Sequence, residues 1–378
     1  ESTNDSLYLL FLDWKQAFDK VSHIGLESSL RRIGISDRYI QRVMQIYEAP
    51  TFEVRDAGRT SRPHQQEGGI RQGCPLSPYL FVIFMTVLMH DVDATLTTPL
   101  PYCFSANIPF YDIEYADDTL LIARTAERTQ ELLTAVETQS HKYGMMLNAD
   151  KTVLLAMNVP TQTSISLLDG SHIKYVEQQT YLGAEFTQSA KQKPNLLKRL
   201  AMGTREFNKM RSFWNHSDID KNMKLEICKT IFYPLVMYGL HYSWLTQSRL
   251  KQLDAWQARI LRRTLNIKAS MISHTTNATV IKLAKTTPLS EQLQVQQNRY
   301  FGHVLRAAER NDPIHTVCFS KDGAARRLSS RRKIGHPTQK WTNQLIGRVN
   351  NFYKRPHGSQ MRELTTLASA KEWSAFVQ

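Results

Sequence analysis

Only four cysteines occur in 378 residues, and Cys74, Cys103, Cys228 and Cys318 stand 29 to 125 positions apart. No C-x-x-C pair and no histidine pair at finger spacing goes with them, which argues against a disulfide framework and a zinc knuckle. They read as buried thiols of a protein kept in a reducing, intracellular compartment. Long apolar runs are missing as well. The longest, "YLFVIFMTVLM" at 79 to 89, is bounded by Pro78 and by His90-Asp91 and is too short to span a bilayer, so it reads as a core helix and no membrane partner is expected. No repeat of fixed period appears. The N-terminus, "ESTNDSLYLLFLDW", has neither an initiator Met nor a basic leader and enters an apolar strand almost at once, so the chain reads as a fragment.

What is present is an ordinary globular composition, 42% hydrophobic and 22% charged, with an uneven distribution of charge. Residues 1 to 158 hold 14 Lys+Arg against 20 Asp+Glu, a net of −6; residues 159 to 378 hold 34 against 14, a net of +20. An acidic front and a basic back suit a protein that collects cations at one site and grips a polyanion with the rest. A solvated basic surface without a partner gives the same totals.

The order of elements points to an α+β fold followed by a mainly helical region. "LYLLFLDW" (7 to 14) has strand length and ends at Asp13; "GLESSLRRIGI" and "DRYIQRVMQIYEA" show helical spacing, the second capped by Asp37. "TFEVRDAGRTSRPHQQEGG" (51 to 69) reads as a hairpin with Gly58 at its turn. Pro75 and Pro78 mark the start of a helix that reaches about Leu96. Residues 110 to 124 form a second hairpin whose two apolar arms meet at Ala116-Asp117-Asp118. A helix from Ala126 to Tyr143 stops at Gly144, and "KTVLLAM" (151 to 157) returns as a strand. This sequence predicts an antiparallel sheet with helices on one face. "TYLGAEFT" (180 to 187) reads as a strand pair. Helical spacing then covers 195 to 213, 220 to 233, 248 to 265, 290 to 309 and 339 to 352, with a basic linker at 321 to 337.

Asp117 and Asp118, adjacent in a hairpin of apolar residues, raise each other's proton affinity unless a cation joins them. Asp13 ends a strand that can lie beside that hairpin, so three carboxylates can converge on one face. Their hard oxygens suit Mg²⁺, and two such ions clamp an in-line phosphoryl transfer. An aspartate pair in a turn is common, and it is the surrounding segments that single this one out. "FLDWKQAFDKV" (11 to 21), "GIRQGCPLSPYLF" (69 to 81), "YADD" (115 to 118), "GMMLNADKT" (144 to 152) and "YLG" (181 to 183) resemble, in order, the polymerase motifs of LINE-type (non-LTR retrotransposon) reverse transcriptases. "YPLVMYG" (233 to 239), "LDAWQARILRR" (253 to 263) and "RYFGHVLR" (299 to 306) resemble the helical segments that follow them.

The resemblance implies a reverse transcriptase palm with partial fingers over 1–158, primer-grip strands over 159–190, a helical thumb over 191–270 and a basic helical C-terminal region over 271–378. It makes Asp13, Asp117 and Asp118 the ligands of two Mg²⁺ ions, with Mn²⁺ as a substitute, and Asp13 the one touching both. Asp19 is expected to be structural. Phe18 stands where the family uses a ring to exclude a ribose 2′-hydroxyl, although such a ring is also ordinary core. Gln72 and Gly73 match residues that lie against the incoming nucleotide and template, Arg71 adds a phosphate contact or is a surface salt-bridge residue, Tyr115 stands near the primer end, and Lys151 serves the departing pyrophosphate or is an exposed strand-end lysine. Arg262, Arg263, Arg326, Arg327, Arg331, Arg332 and Lys333 are the candidates for phosphate contacts, although solvated basic faces look the same. The implied partners are an RNA template, a DNA primer or target DNA, and deoxynucleoside triphosphates. The implied place of action is the nucleus, at a site of DNA integration, or the cytoplasm.

The pattern also departs from the family. Basic finger residues that precede the first aspartate strand in relatives have no counterpart ahead of Asp13, and no nuclease motif or cysteine-histidine knuckle is found. The expectation is an intact catalytic palm in a chain that polymerises weakly alone. A retained nucleic-acid-binding remnant and a group II intron maturase are the alternatives; the three aspartates count against the first and "RYFGHVLR" against the second. A viral RNA-directed RNA polymerase fits less well, since those carry glycine before the aspartate pair and no ring like Phe18.

Overall fold

In the computed structural model the described residues are 6–66, 68–96, 111–159, 163–188, 196–216, 218–307, 313–319, 341–353 and 373–377. The chain forms two compact units that divide between Lys191 and Gln192. The four-part division expected above does not appear as four bodies. Residues past 158 belong to the first unit because one of their strands joins its sheet.

The first unit is built on β1 (Leu7–Leu12), which lies between β7 (Asp118–Ala123) and β8 (Val153–Met157), antiparallel to both. β6 (Asp112–Tyr115) forms one edge and β9 (Lys174–Tyr175) the other, the latter parallel to β8. Side chains alternate across the sheet. Tyr8, Leu10 and Leu12 of β1, with Leu121 and Leu154, face a core closed by α1 (His23–Arg32), α3 (Ser77–Thr95) and α4 (Ala126–Lys142). Leu9 and Phe11, with Leu120, Ile122 and Leu155, face the opposite way, onto Tyr181 and Phe186 of the hairpin β10 (Gln178–Tyr181) and β11 (Ala184–Thr187). The sheet is therefore covered on both faces, which explains why β1 reads as an unbroken apolar run instead of alternating.

Local chemistry sets the ends of these elements. Thr125 caps α4 by accepting from Arg128 N, and Gly144 follows the helix in the left-handed region. Pro78 lies in the first turn of α3. α2 (Asp37–Ile46) departs from expectation: Ser36 is its cap residue, and Asp37 is the first helical residue, placed where a carboxylate favours the helix dipole. The 51–69 hairpin is two short nested pairs, β2 (Thr51–Phe52) with β5 (His64–Gln65) and β3 (Arg55–Asp56) with β4 (Arg59–Thr60), turning at Ala57-Gly58. The 112–123 hairpin has one apolar arm, not two: β7 is buried beyond Asp118, whereas β6 is an exposed edge carrying Asp112 and Glu114.

The second unit is helical among its described residues. α5 (Leu196–Lys209), α6 (Arg211–Asn215), α7 (Lys221–Ile227), α8 (Tyr233–Met237) and α9 (Gln247–Thr264) enclose a core around Phe207, Phe232 and Trp256. Gly203 permits the close crossing there, since a methyl group at that position would stand 2.4 Å from Val236 and 2.9 Å from Trp256. The single helix predicted over 220–233 is instead α7, a wide turn at Cys228–Phe232 and α8, the interruption falling just before Pro234, which has no N–H to continue the ladder. α10 (Ser270–Ser273) and α11 (Asn277–Leu283) follow α9, and neither stood out in the sequence. α12 (Leu289–Arg306), α13 (Pro313–Cys318), α14 (Trp341–Phe352) and α15 (Trp373–Val377) share a further core centred on Phe301 and Phe319.

The three helices beneath the sheet are joined by a polar knot. Arg32 of α1 grips Asp91 of α3 with both guanidinium nitrogens, at 2.7 and 2.5 Å, while the Tyr143 hydroxyl after α4 donates to Asp91 at 2.6 Å. Arg32 foremost, with Tyr143, holds the Asp91 carboxyl down at about 2. A depressed carboxyl stabilises the fold above its unfolded value and loses that contribution as pH falls through the folded value. Asp91→Asn is expected to cost about 1 kcal/mol at pH 7, allowing for the partial exposure of the pair, and progressively less as pH falls towards and below about 2. Thermal unfolding of both proteins across that range checks it.

Candidate functional site

Three of the conspicuous carboxylates are set by one strand pairing. β1 and β7 run antiparallel and their register ends with Leu12 opposite Thr119, so Asp13 and Asp118 are the residues that come next on each, and Asp13 lies close enough to act on the Asp118 charge. The backbone at Asp13 is fixed from the other side: its N–H donates to Thr152 Oγ1 at 3.2 Å and its carbonyl accepts from Asn148 N at 2.8 Å. Trp14 is buried, bridges to Leu147 and donates its indole N–H to Thr119 Oγ1 at 3.2 Å. Asp13 is thus clamped between the strand that carries Asp118 and the 144–152 turn.

Asp117 is the second residue of the two-residue turn that joins Tyr115 to Asp118, and Ala116 before it holds φ +55°. That left-handed conformation costs a residue with a Cβ roughly 1–2 kcal/mol. The Asp118 carboxyl is pushed up from its ordinary value by burial first, then by Asp117 and by Asp13. Both neighbouring acids thus act on Asp118. Among the described residues no three acidic, histidine or cysteine side chains form a ready-made metal cage, so the expected convergence on one point is not seen. The donor set still fits a hard divalent cation: carboxylates on adjoining strands, destabilised by one another and relieved by a positive ion. Lys151 reaches this group, its Nζ 3.9 Å from Asp13 Oδ2. Tyr115 is 66% exposed beside it.

A second group forms around the turn after β1. Gly69 N donates to Val21 O and Ile70 N to Phe18 O, both at 2.8 Å, docking the 68–73 loop onto residues 18–21. Gly69 is required there: it has φ +87°, and a methyl group would fall 2.7 Å from the Asp19 backbone. Gln72 Nε2 donates to Asp19 Oδ1 at 3.2 Å. Arg71, Gln72 and Gly73 are exposed, and Gly73 has φ +85° with open space where a Cβ would stand. Phe18 is half-buried and stacks on Phe81, ring centroids 4.5 Å apart, so its ring is at least partly a packing element.

The phosphate candidates fare differently. Arg262 is buried, and its guanidinium is spent on Lys268 O, Ser273 Oγ, Thr275 O and Asn277 Oδ1. It is a loop-holding residue and not a surface cation, because α11 and the loop before it close over this face of α9. Arg263 is exposed but already lies over the Phe207 ring and donates to Asn208 Oδ1 at 2.6 Å. Arg326, Arg327, Arg331, Arg332 and Lys333 lie outside the described residues.

One residue of consequence was not expected. The Tyr181 hydroxyl, from β10, lies 2.9 Å from Ile113 O and 3.0 Å from Asp118 O and bridges the two arms of the aspartate hairpin. Burial, with Asp118, Glu114 and Asp112 nearby, pushes its proton affinity up to about 12, so it remains a donor. "YLG" marked the segment, but nothing in the sequence signals a hydroxyl reaching residues 63 to 68 positions away.

Residues 1–186 match the family described as reverse transcriptase (RNA-dependent DNA polymerase). They form a reverse transcriptase domain. The chain is 27% identical over 270 residues to the Pol polyprotein of type-1 retrotransposable element R2 of Popillia japonica, covering 68% of this chain and 42% of that one. It is 26% identical to the RNA-directed DNA polymerase from mobile element jockey of Drosophila melanogaster, over 67% of this chain and 28% of that one. The chain thus spans less than half the length of these relatives. A telomerase structure from Candida tropicalis, in complex with a fragment of telomeric RNA, aligns with 79% of this chain and 47% of its own, at 15% identity and a TM-score of 0.39. The α+β sheet described above is that of the reverse transcriptase domain, and all five quoted motifs begin within its matched span.

The Tyr181 bridge makes a direct prediction for this domain. Tyr181→Phe keeps the ring against Phe11 and removes only the donor. It is expected to cost about 1 kcal/mol and to speed amide exchange selectively in residues 112–123. Exchange that accelerates equally throughout the domain would contradict the bridge.

Proposed function

We propose that this chain copies RNA into DNA by metal-assisted nucleotidyl transfer at Asp13, Asp117 and Asp118. The observation that carries the reading is the β1–β7 register, whose last pair, Leu12 with Thr119, leaves Asp13 and Asp118 as the next residue of each strand, with Asp13 among the charges that act on Asp118. The 3′-oxygen of a DNA primer attacks the α-phosphorus of a deoxynucleoside triphosphate, a new P–O bond forms, and pyrophosphate leaves with the electron pair of the broken one. Two Mg²⁺ ions, or Mn²⁺ in their place, supply the Lewis acidity for both oxygens when bound by these carboxylates.

The remaining roles belong to the chain. Asp13 and Asp118 fix the donor positions because their backbones are locked by Thr152, Asn148 and the Tyr181 bridge. Lys151, on the Asp13 side, neutralises charge on the departing pyrophosphate. Arg71, Gln72 and Gly73 receive the nucleotide on the exposed loop docked beside Phe18, whose ring bounds the sugar position. Tyr115 supports the primer end. RNA template and DNA primer or target DNA are held through phosphates by the basic half of the chain, and the work is done in the nucleus, where target DNA lies.

Primer extension on an RNA template tests the reading. The expected outcome is slow, Mg²⁺-dependent incorporation of deoxynucleotides that falls about a hundredfold or more in Asp118→Asn or Asp117→Asn. Synthesis unchanged in either variant, or a preference for ribonucleotides, contradicts it.

A further inference from the structure

The segment between α9 and α11 has a construction that the polymerase reading does not use. It leaves α9 at Asn266 and enters the cap of α11 at Thr276, and two of its residues, Asn266 and His274, hold left-handed backbone at φ +56° and +52°. Arg262 supports it from beneath through four contacts to Lys268, Ser273, Thr275 and Asn277. Ile267 anchors its base in the small core of Leu261, Val280 and Ile281. A guanidinium buried in this way gives a loop a fixed shape.

That shape points two large apolar side chains outward. Met271 is 88% exposed and Ile272 is 65% exposed, side by side on the short helix α10. Both side chains forgo the gain of leaving water, although the loop that carries them is firmly held, and an occupant would supply the missing cover. The charge of the flanking sequence points to the kind. From Ala255 to Ser290 the chain has six Lys and Arg and no Asp or Glu. Arg259, Lys268, Lys282 and Lys285 of this stretch are exposed, whereas Arg263, though exposed, is engaged by Phe207 and Asn208. An acidic protein surface would match the cations but not a narrow two-residue tip. A nucleic-acid duplex matches both, with phosphates for the cations and a base step for an unbranched thioether and a branched alkyl group.

We propose that Met271 and Ile272 form a wedge that enters the minor groove of duplex DNA and opens a base step, while the surrounding cations hold the flanking phosphates. DNA is the committed partner because its narrow minor groove widens and kinks at flexible pyrimidine–purine steps when an apolar wedge enters. The minor groove of an A-form-like RNA·DNA hybrid is already wide and shallow.

The test uses the whole chain without nucleotides, so that it reads independently of polymerase activity. Duplex DNA carrying 2-aminopurine at a TA step is titrated with protein. The expected result is a several-fold rise in fluorescence as the probe unstacks. It should be lost in Met271→Ser/Ile272→Ser and restored in Met271→Leu/Ile272→Val, with the salt dependence of binding the same in all three. Because both side chains are exposed, the serine variant should fold, and unchanged circular dichroism confirms it. A rise that survives the serine pair overturns the wedge. So does a rise seen only in the RNA·DNA hybrid, or sedimentation in which the serine pair abolishes a dimer of the chain, since that result assigns the tip to a second copy.

Discussion

The antiparallel pairing of β1 with β7 is the constraint on which the site depends. A slip of one residue in that pairing moves every side chain of β1 to the opposite face. Leu10 and Leu12 would leave the helix-covered core, Leu9 and Phe11 would leave the hairpin-covered one, and Asp13 and Asp118 would no longer be the next residues after a shared pair. Because both faces of the sheet are buried, packing fixes the register from two sides, and the carboxylates at the strand ends inherit that precision. The acids repel one another, and it is the apolar strand behind them that holds them together.

Charge in the other half is less free than its total implies. Lys224 is buried and donates to Trp214 O and His216 O; Arg262 is consumed by a loop; Arg348 lies over Trp244 and donates to Gln297 Oε1. These cations build the helical unit, acting on carbonyls where a helix ends or a loop turns back. The sum of +20 therefore overstates the positive charge that these residues present at the surface.

Much of the first unit was legible in its sequence. β1, the aspartate hairpin, α3, α4 and β8 are each marked by a local signal: an apolar run of strand length, a two-residue turn, a proline in the first turn, or a glycine past the last. The errors have a common cause in long-range contacts. Asp37 looks like a cap, but Ser36 takes the place. β6 looks like a buried arm and is a sheet edge. Arg262 is indistinguishable from Arg263 by sequence, and only the fold of α11 over α9 separates a buried guanidinium from an exposed one. The Tyr181 hydroxyl and the Gly69 contact with Asp19 were likewise hidden, since each depends on segments separated by dozens of residues.

The central claim, that strand register makes Asp13 and Asp118 parts of one cation site, is tested most directly by a double-mutant cycle on Mn²⁺ affinity, followed by the paramagnetic signal of the bound ion. Asp13→Asn and Asp118→Asn are each expected to weaken binding at least tenfold, and the double variant little more than either alone, because both acids serve the same ion. Independent losses that add in full, or an Asp13→Asn protein that binds Mn²⁺ like the parent, would contradict the account.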